Sequence, residues 1–175
     1  MKKILAILLA AITAFSMMAA FAAMSPEPEI KIDTDPEHPE YSPNFYFKVS
    51  YDESKHRQAN AILADLSKAE APADFFGEAA AKITETLGKE EFDIVEFAPV
   101  IAGNYVEEMG NVKLTIECPT KYAEGQKVAV LFGIVNNWSV YEGVGTADGK
   151  VQVTLDPEMV LAVQNSALTI MAIAI

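Results

Sequence analysis

Cysteine is nearly absent. Cys118 is the only one in the 175 residues, so no disulfide can form within the chain, and stability must come from a packed core. Histidine is almost as scarce, with only His38 and His56. A serine or cysteine triad would need one of them beside a nucleophile, and no nucleophile elbow is present. A zinc site would need about three ligands at a recognised spacing, and neither HExxH nor paired CxxC occurs. Walker and GxGxxG phosphate loops are missing as well. Basic residues are in short supply, at 13 Lys and Arg against 25 Asp and Glu. A field of that sign repels phosphate backbones and anionic lipid, so neither nucleic acid nor a membrane surface is an expected partner.

What is present begins with an export signal. Lys2 and Lys3 precede an apolar run from Ile4 to Phe15, and Ala20-Phe21-Ala22 offers small residues for cleavage before Ala23. Residues 1–22 therefore read as a signal peptide of a secreted, extracellular protein. The run is too short for a membrane anchor, which needs about 20 apolar residues. Loss of Lys2 and Lys3 leaves 11 basic residues against 25 acidic, a mature charge of −14. No cysteine stands directly after the cut, which excludes a lipid anchor there, and the chain carries no Leu-Pro-x-Thr-Gly sorting signal for a cell wall.

Residues 23–44 carry Pro26, Pro28, Pro36, Pro39 and Pro43 among acidic side chains and read as a solvated spacer, with room for a short strand at Ile30–Ile32. Asp33, Asp35 and Glu37 alternate as calcium ligands often do, but no EF-hand turn completes them. Residues 45–90 read as a strand followed by two helices. Phe45, Phe47 and Val49 alternate with Tyr46 and Lys48. Ala59, Ile62, Leu63 and Leu66 then form a helical stripe capped by Asp52 or Ser54, and Phe76, Ala79, Ala80, Ile83 and Leu87 form a second, capped by Asp74 and stopped at Gly88.

Residues 91–175 turn to β texture. Candidate strands are Phe92–Phe97, Val112–Cys118, Lys127–Val135, Trp138–Val144, Lys150–Leu155 and Ala167–Ile175, with turns at Asn136-Asn137 and Asp148-Gly149 and one helical turn in Pro157–Gln164. Val112, Leu114, Ile116 and Cys118 share one apolar face, which buries the thiol. The spacing predicts an α+β chain: an N-terminal helical pair followed by an all-β, immunoglobulin-like sandwich of about six to seven strands.

The stretch EFAPVIAGNYVEEMGNVKLTIECPTKYAEGQKVAVLFGIV (Glu96–Val135), the segment GTADGKVQVTLDPEMVLAVQ (Gly145–Gln164) and the sequence DFFG (Asp74–Gly77) resemble uncharacterised secreted proteins of Gram-positive gut bacteria. The resemblance spans residues 55–175 and implies a helical segment before a compact β module. It carries no catalytic signature and no functional residues.

Candidate binding residues are Tyr105, Tyr122, Trp138 and Tyr141, which fall in or beside loops and strand ends, where aromatics with polar edges serve recognition. A core role for Trp138 competes with this. The leading expectation is a secreted, non-enzymatic binding module for a protein or glycan, with no cofactor and no metal. The alternatives are a small hydrolase with paired carboxylates and an accessory subunit that associates through its terminal strand or a neighbouring sheet edge.

Overall fold

A computed structural model describes residues 30–134 and 137–175. The expected signal peptide, the first residues of the spacer and Asn136 of the expected turn lie outside the described residues.

Among the described residues, eight strands form a single antiparallel sheet: β1 (Lys31–Pro36), β2 (Tyr46–Val49), β3 (Ile94–Gly103), β4 (Val112–Glu117), β5 (Lys127–Ile134), β6 (Asn137–Gly145), β7 (Val151–Leu155) and β8 (Thr169–Ala174), in the spatial order β1-β4-β7-β6-β5-β8-β3-β2. The ends of that order, β1 and β2, lie against each other without forming a ladder. The sheet is thus curled almost into a barrel, which disposes of most of the exposed edge that an open sheet would carry.

This overturns the sandwich with an N-terminal helical pair. Two strands precede the helices, and both belong to the same sheet as the rest: β1 pairs with β4 from Lys31↔Glu117 to Pro36↔Val112, and β2 pairs with β3 from Tyr46↔Gly103 to Val49↔Val100. The physical reason lies in the central strands. A sandwich leaves one face of each sheet to solvent and gives alternating strands, whereas every residue of β8 is buried, as are Val128 to Gly133 of β5. Both faces of these strands need cover, which marks a sheet with layers on both sides.

The inner cover is the curled sheet itself. Phe47, Val100, Leu114, Val130, Phe132, Val153 and Met171 fill the concave side. The outer cover is helical: α1 (Glu53–Leu66), α2 (Pro72–Phe76) and α3 (Glu78–Leu87) pack Ala59, Leu66, Phe76 and Ile83 onto Phe97, Leu131, Val140, Ile170 and Ala172. Asp52 caps α1 by accepting from the Ser54 amide at 2.7 Å. The second stripe is broken into two helices at Gly77 (φ +54°), and Asp74 sits inside the first turn of α2, where its carboxylate accepts from the Ala71 amide at 3.1 Å. The helical turn expected after Pro157 is a nine-residue helix, α4 (Pro157–Asn165). Met159, Val160 and Val163 of α4 join the inner core.

Candidate functional site

β6 is nine residues long and β7 is five. From Asn137 to Val144, β6 is paired with β5, but β7 meets it only at Gly143–Gly145. Beyond Gly143 the two strands part. β7 stays with β4 through Leu155, and the chain then turns at Asp156 into α4. Asp156 is well suited to that turn: its Oδ1 accepts the Met159 amide at 2.8 Å as the helix cap, and Pro157 occupies the first helical position. The stretch Asn137–Glu142 is consequently a strand edge left without a ladder partner among the described residues.

Two cavities flank this edge. The larger, about 780 Å³, lies between β6 and the α2–α3 junction and is lined by Phe75, Phe76, Gly77, Lys82, Trp138 and Val140, among others. The smaller, about 350 Å³, lies on the α4 side and is lined by Phe132, Ser139, Tyr141, Asp156, Glu158 and Met159, among others. Asn137, Ser139, Tyr141 and Asp156 border both, so the cavities form one open cleft astride the edge.

The wall on the helix side is aromatic. The Trp138 ring packs edge-on against Phe76 with centroids 4.9 Å apart, and against Phe75 at 6.1 Å. It also covers its cross-strand neighbour Gly133, where a Cβ would stand 2.7 Å from the indole Cη2. On the other side the Tyr141 hydroxyl donates to Asp156 Oδ2 at 2.9 Å, and its ring meets Phe132 edge-on at 6.0 Å. Burial, and then the hydrogen bond to the carboxylate, push the Tyr141 phenol well above its usual range, so it stays protonated. Asp156 has both oxygens engaged, one by a helix cap and one by Tyr141.

Of the four aromatics singled out from the sequence, Trp138 and Tyr141 come together at the cleft. The other two lie elsewhere, in the core. Tyr105 is 3% exposed, and its hydroxyl donates to the Gly110 carbonyl at 2.6 Å. Gln164 of α4 clamps its backbone from both sides, accepting from the Tyr105 amide at 2.7 Å and donating to its carbonyl at 3.3 Å. Tyr122 is 4% exposed and lies 3.7 Å from the Cys118 sulfur. Burial, followed by the Glu96 charge, pushes the Cys118 thiol up to about 12, the opposite of an activated thiolate.

Neither histidine borders the cleft. His38 faces Glu40 at 3.3 Å on the surface, and His56 Nε2 lies 2.6 Å from the Ser50 carbonyl. Glu37, considered above with Asp33 and Asp35, accepts from the Asn111 amide at 3.1 Å and from its side chain at 3.0 Å, which ties the end of β1 to the start of β4. Among the described residues no group of three or more His, Cys, Asp or Glu is placed to hold a metal ion, and no helix is long and apolar enough to cross a membrane. Sequence reasoning missed Phe75, Phe76 and Asp156. A pair of aromatics just before a helix-breaking glycine, and an Asp-Pro step directly after a strand, were the available signals. Comparison with protein-family models, curated proteins and solved structures finds no match for this chain.

Proposed function

We propose that the chain is an exported, non-enzymatic binding module whose ligand occupies the cleft astride β6. The observation that carries this reading is the convergence of an aromatic wall (Phe75, Phe76, Trp138) and the anchored Tyr141 on a strand edge that has no ladder partner among the described residues. Aromatic surface beside an open strand edge is the composition of a recognition site. The non-enzymatic part is supported by the state of the titratable groups: Tyr141 is held protonated, Asp156 is committed to two hydrogen bonds, and both histidines lie elsewhere. Export is supported by the basic, apolar and small-residue order of residues 1–22.

Trp138 is the only tryptophan in the chain, so its fluorescence reports on the cleft directly. Titration with a panel of peptides and oligosaccharides should give saturable emission shifts for one class, and Phe75→Ala should weaken that binding at least ten-fold. Saturable binding that leaves Trp138 emission and the Phe75→Ala affinity unchanged would place the ligand elsewhere. Turnover of a panel member, abolished by Glu142→Gln or Glu158→Gln, would replace the binding reading with the hydrolase.

A further inference from the structure

Resting on the cleft reading, we infer that the ligand is an extended polypeptide segment with basic side chains, which adds to the β6 edge as a ninth strand. In an antiparallel ladder, successive residues turn their N–H and C=O groups alternately toward one neighbour and the other. β5 takes one set along Asn137–Glu142, so every second residue of β6 aims its backbone donor and acceptor into the cleft. An arriving strand is the one ligand that satisfies such a row at a regular spacing, and six residues of it span about 20 Å.

The two cavities supply the rest. Side chains of an added strand alternate between its faces, so one set would enter the cavity over Trp138 and the other the cavity over Tyr141. The two-sided arrangement suits a strand better than a glycan, which has no period-two alternation. The setting is also narrow, with α3 on one side and α4 on the other, which favours a single segment over the open edge of another sheet.

Charge selects the segment's chemistry. Glu78, Glu142, Asp156 and Glu158 border the cleft against Lys82 alone, with Lys127 of β5 paired to Glu142 at 3.3 Å. Against this field a basic segment is attracted and an acidic one repelled. That argues against the chain's own residues 23–29, which carry Glu27 and Glu29 and no basic side chain. The outer edges are poorer acceptors: β1 ends in Pro36 and exposes Lys31, Asp33 and Asp35 along one face, features that discourage strand addition, and it lies against β2. β8 is paired on both sides and offers no edge.

The test uses four capped nine-residue peptides: one alternating lysine with valine and threonine, its counterpart with glutamate for lysine, and two versions of the lysine peptide N-methylated at alternate amides, one in each register. Amide hydrogen exchange of the purified protein and Trp138 fluorescence are the readouts. The expected result is saturable binding of the lysine peptide with at least ten-fold slowed exchange at alternate residues of Trp138–Glu142, at least ten-fold weaker binding of the glutamate peptide, and loss of binding for one N-methylated register. Equal binding of both N-methylated peptides without slowed exchange would overturn strand addition and leave the cleft reading intact. Equal affinity for the glutamate peptide would overturn the choice of a basic partner. Silence of both readouts toward all four peptides would overturn the inference, and the cleft reading falls with it only if the wider panel is silent too.

Discussion

Replacing Gly133 with alanine tests whether Trp138 is held as a rigid wall. The alanine Cβ would stand 2.7 Å from Cη2 and Cζ3 of the indole and 2.9 Å from Cε3, whereas carbon atoms pack at about 3.5–4.0 Å. The ring would have to withdraw by about 1 Å to restore that separation. Phe76, Phe75 and Phe97 enclose it at centroid distances of 4.9, 6.1 and 6.4 Å, so withdrawal means repacking several aromatics. Overpacking of this kind costs about 1–3 kcal/mol. Removing a glycine from a strand returns about 0.5–1 kcal/mol. The net expectation is a loss of about 1–2 kcal/mol for Gly133→Ala. Trp138→Val removes the ring while keeping a strand-forming residue, and in that background Gly133→Ala should be neutral or slightly stabilising. The double-mutant cycle should therefore show a coupling of about 1–3 kcal/mol, measured by urea denaturation followed by far-UV circular dichroism, which does not depend on the tryptophan. An equal cost for Gly133→Ala in both backgrounds would refute the reasoning.

Thr169 is 1% exposed, and its hydroxyl has no hydrogen-bond partner among the described residues. Thr169→Val keeps the shape and removes the orphaned group, so it should raise stability by about 1 kcal/mol, seen as a higher urea midpoint at unchanged m-value; a lower midpoint would show that the hydroxyl is engaged. Cys118, with its thiol pushed up to about 12 by burial and 2% exposed, should resist a disulfide reagent at pH 8 until the protein opens, so its labelling rate should rise with urea in step with unfolding. Rapid labelling of the native protein would contradict the buried position. Hydrogen bonds from Asn111, Ser54 and Thr146 hold the carboxyls of Glu37, Asp52 and Asp148 below their ordinary values of 4.5, 3.8 and 3.8. A depressed folded value contributes stability above the unfolded pKa that is lost as pH falls through the folded one. The urea midpoint should thus stay level above about pH 5 and decline below about pH 4. Asp52→Asn, which keeps a capping side chain, should soften that decline, and an unchanged acid limb would show that Asp52 does not contribute to it.

Local structure was legible in the sequence where one period ruled a segment. The stripe from Ala59 to Leu66 is α1, and the alternation from Val112 to Cys118 is β4 with the thiol inside. The architecture was harder because a period of two names a face and not a partner strand. β1 shows this. Ile32, Thr34 and Pro36 alternate with Lys31, Asp33 and Asp35, the half-covered against the exposed, yet the acids and prolines there suggest a spacer. An edge strand accepts both, since the acids point to water and Pro36 ends the strand. The runs VAVLFG in β5 and TIMAIA in β8 already spoke against a sandwich, because strands without alternation are covered on both faces.

The open edge at β6 follows from constraints that act at its two ends. At Gly143 a Cβ would meet Val128, Val130 and Val151 at 2.8–3.0 Å, so glycine lets β5, β6 and β7 close together there. Directly after the Gly143↔Val153 pair, β7 leaves β6 but remains paired with β4 through Leu155, and the Asp156-Pro157 step commits the chain to α4 before β7 can lengthen. Tyr141 then reaches across the gap to Asp156, a side-chain bond that spans the gap between β6 and the end of β7. Pro157 thus starts the helix that closes one end of the core and keeps β7 from lengthening back alongside Trp138. The two aromatics were visible in the sequence as recognition candidates, but what leaves them on an open edge is the parting of β7 from β6 after Gly143 together with the end of β7 at Leu155, a property of the pairing and not of either strand alone.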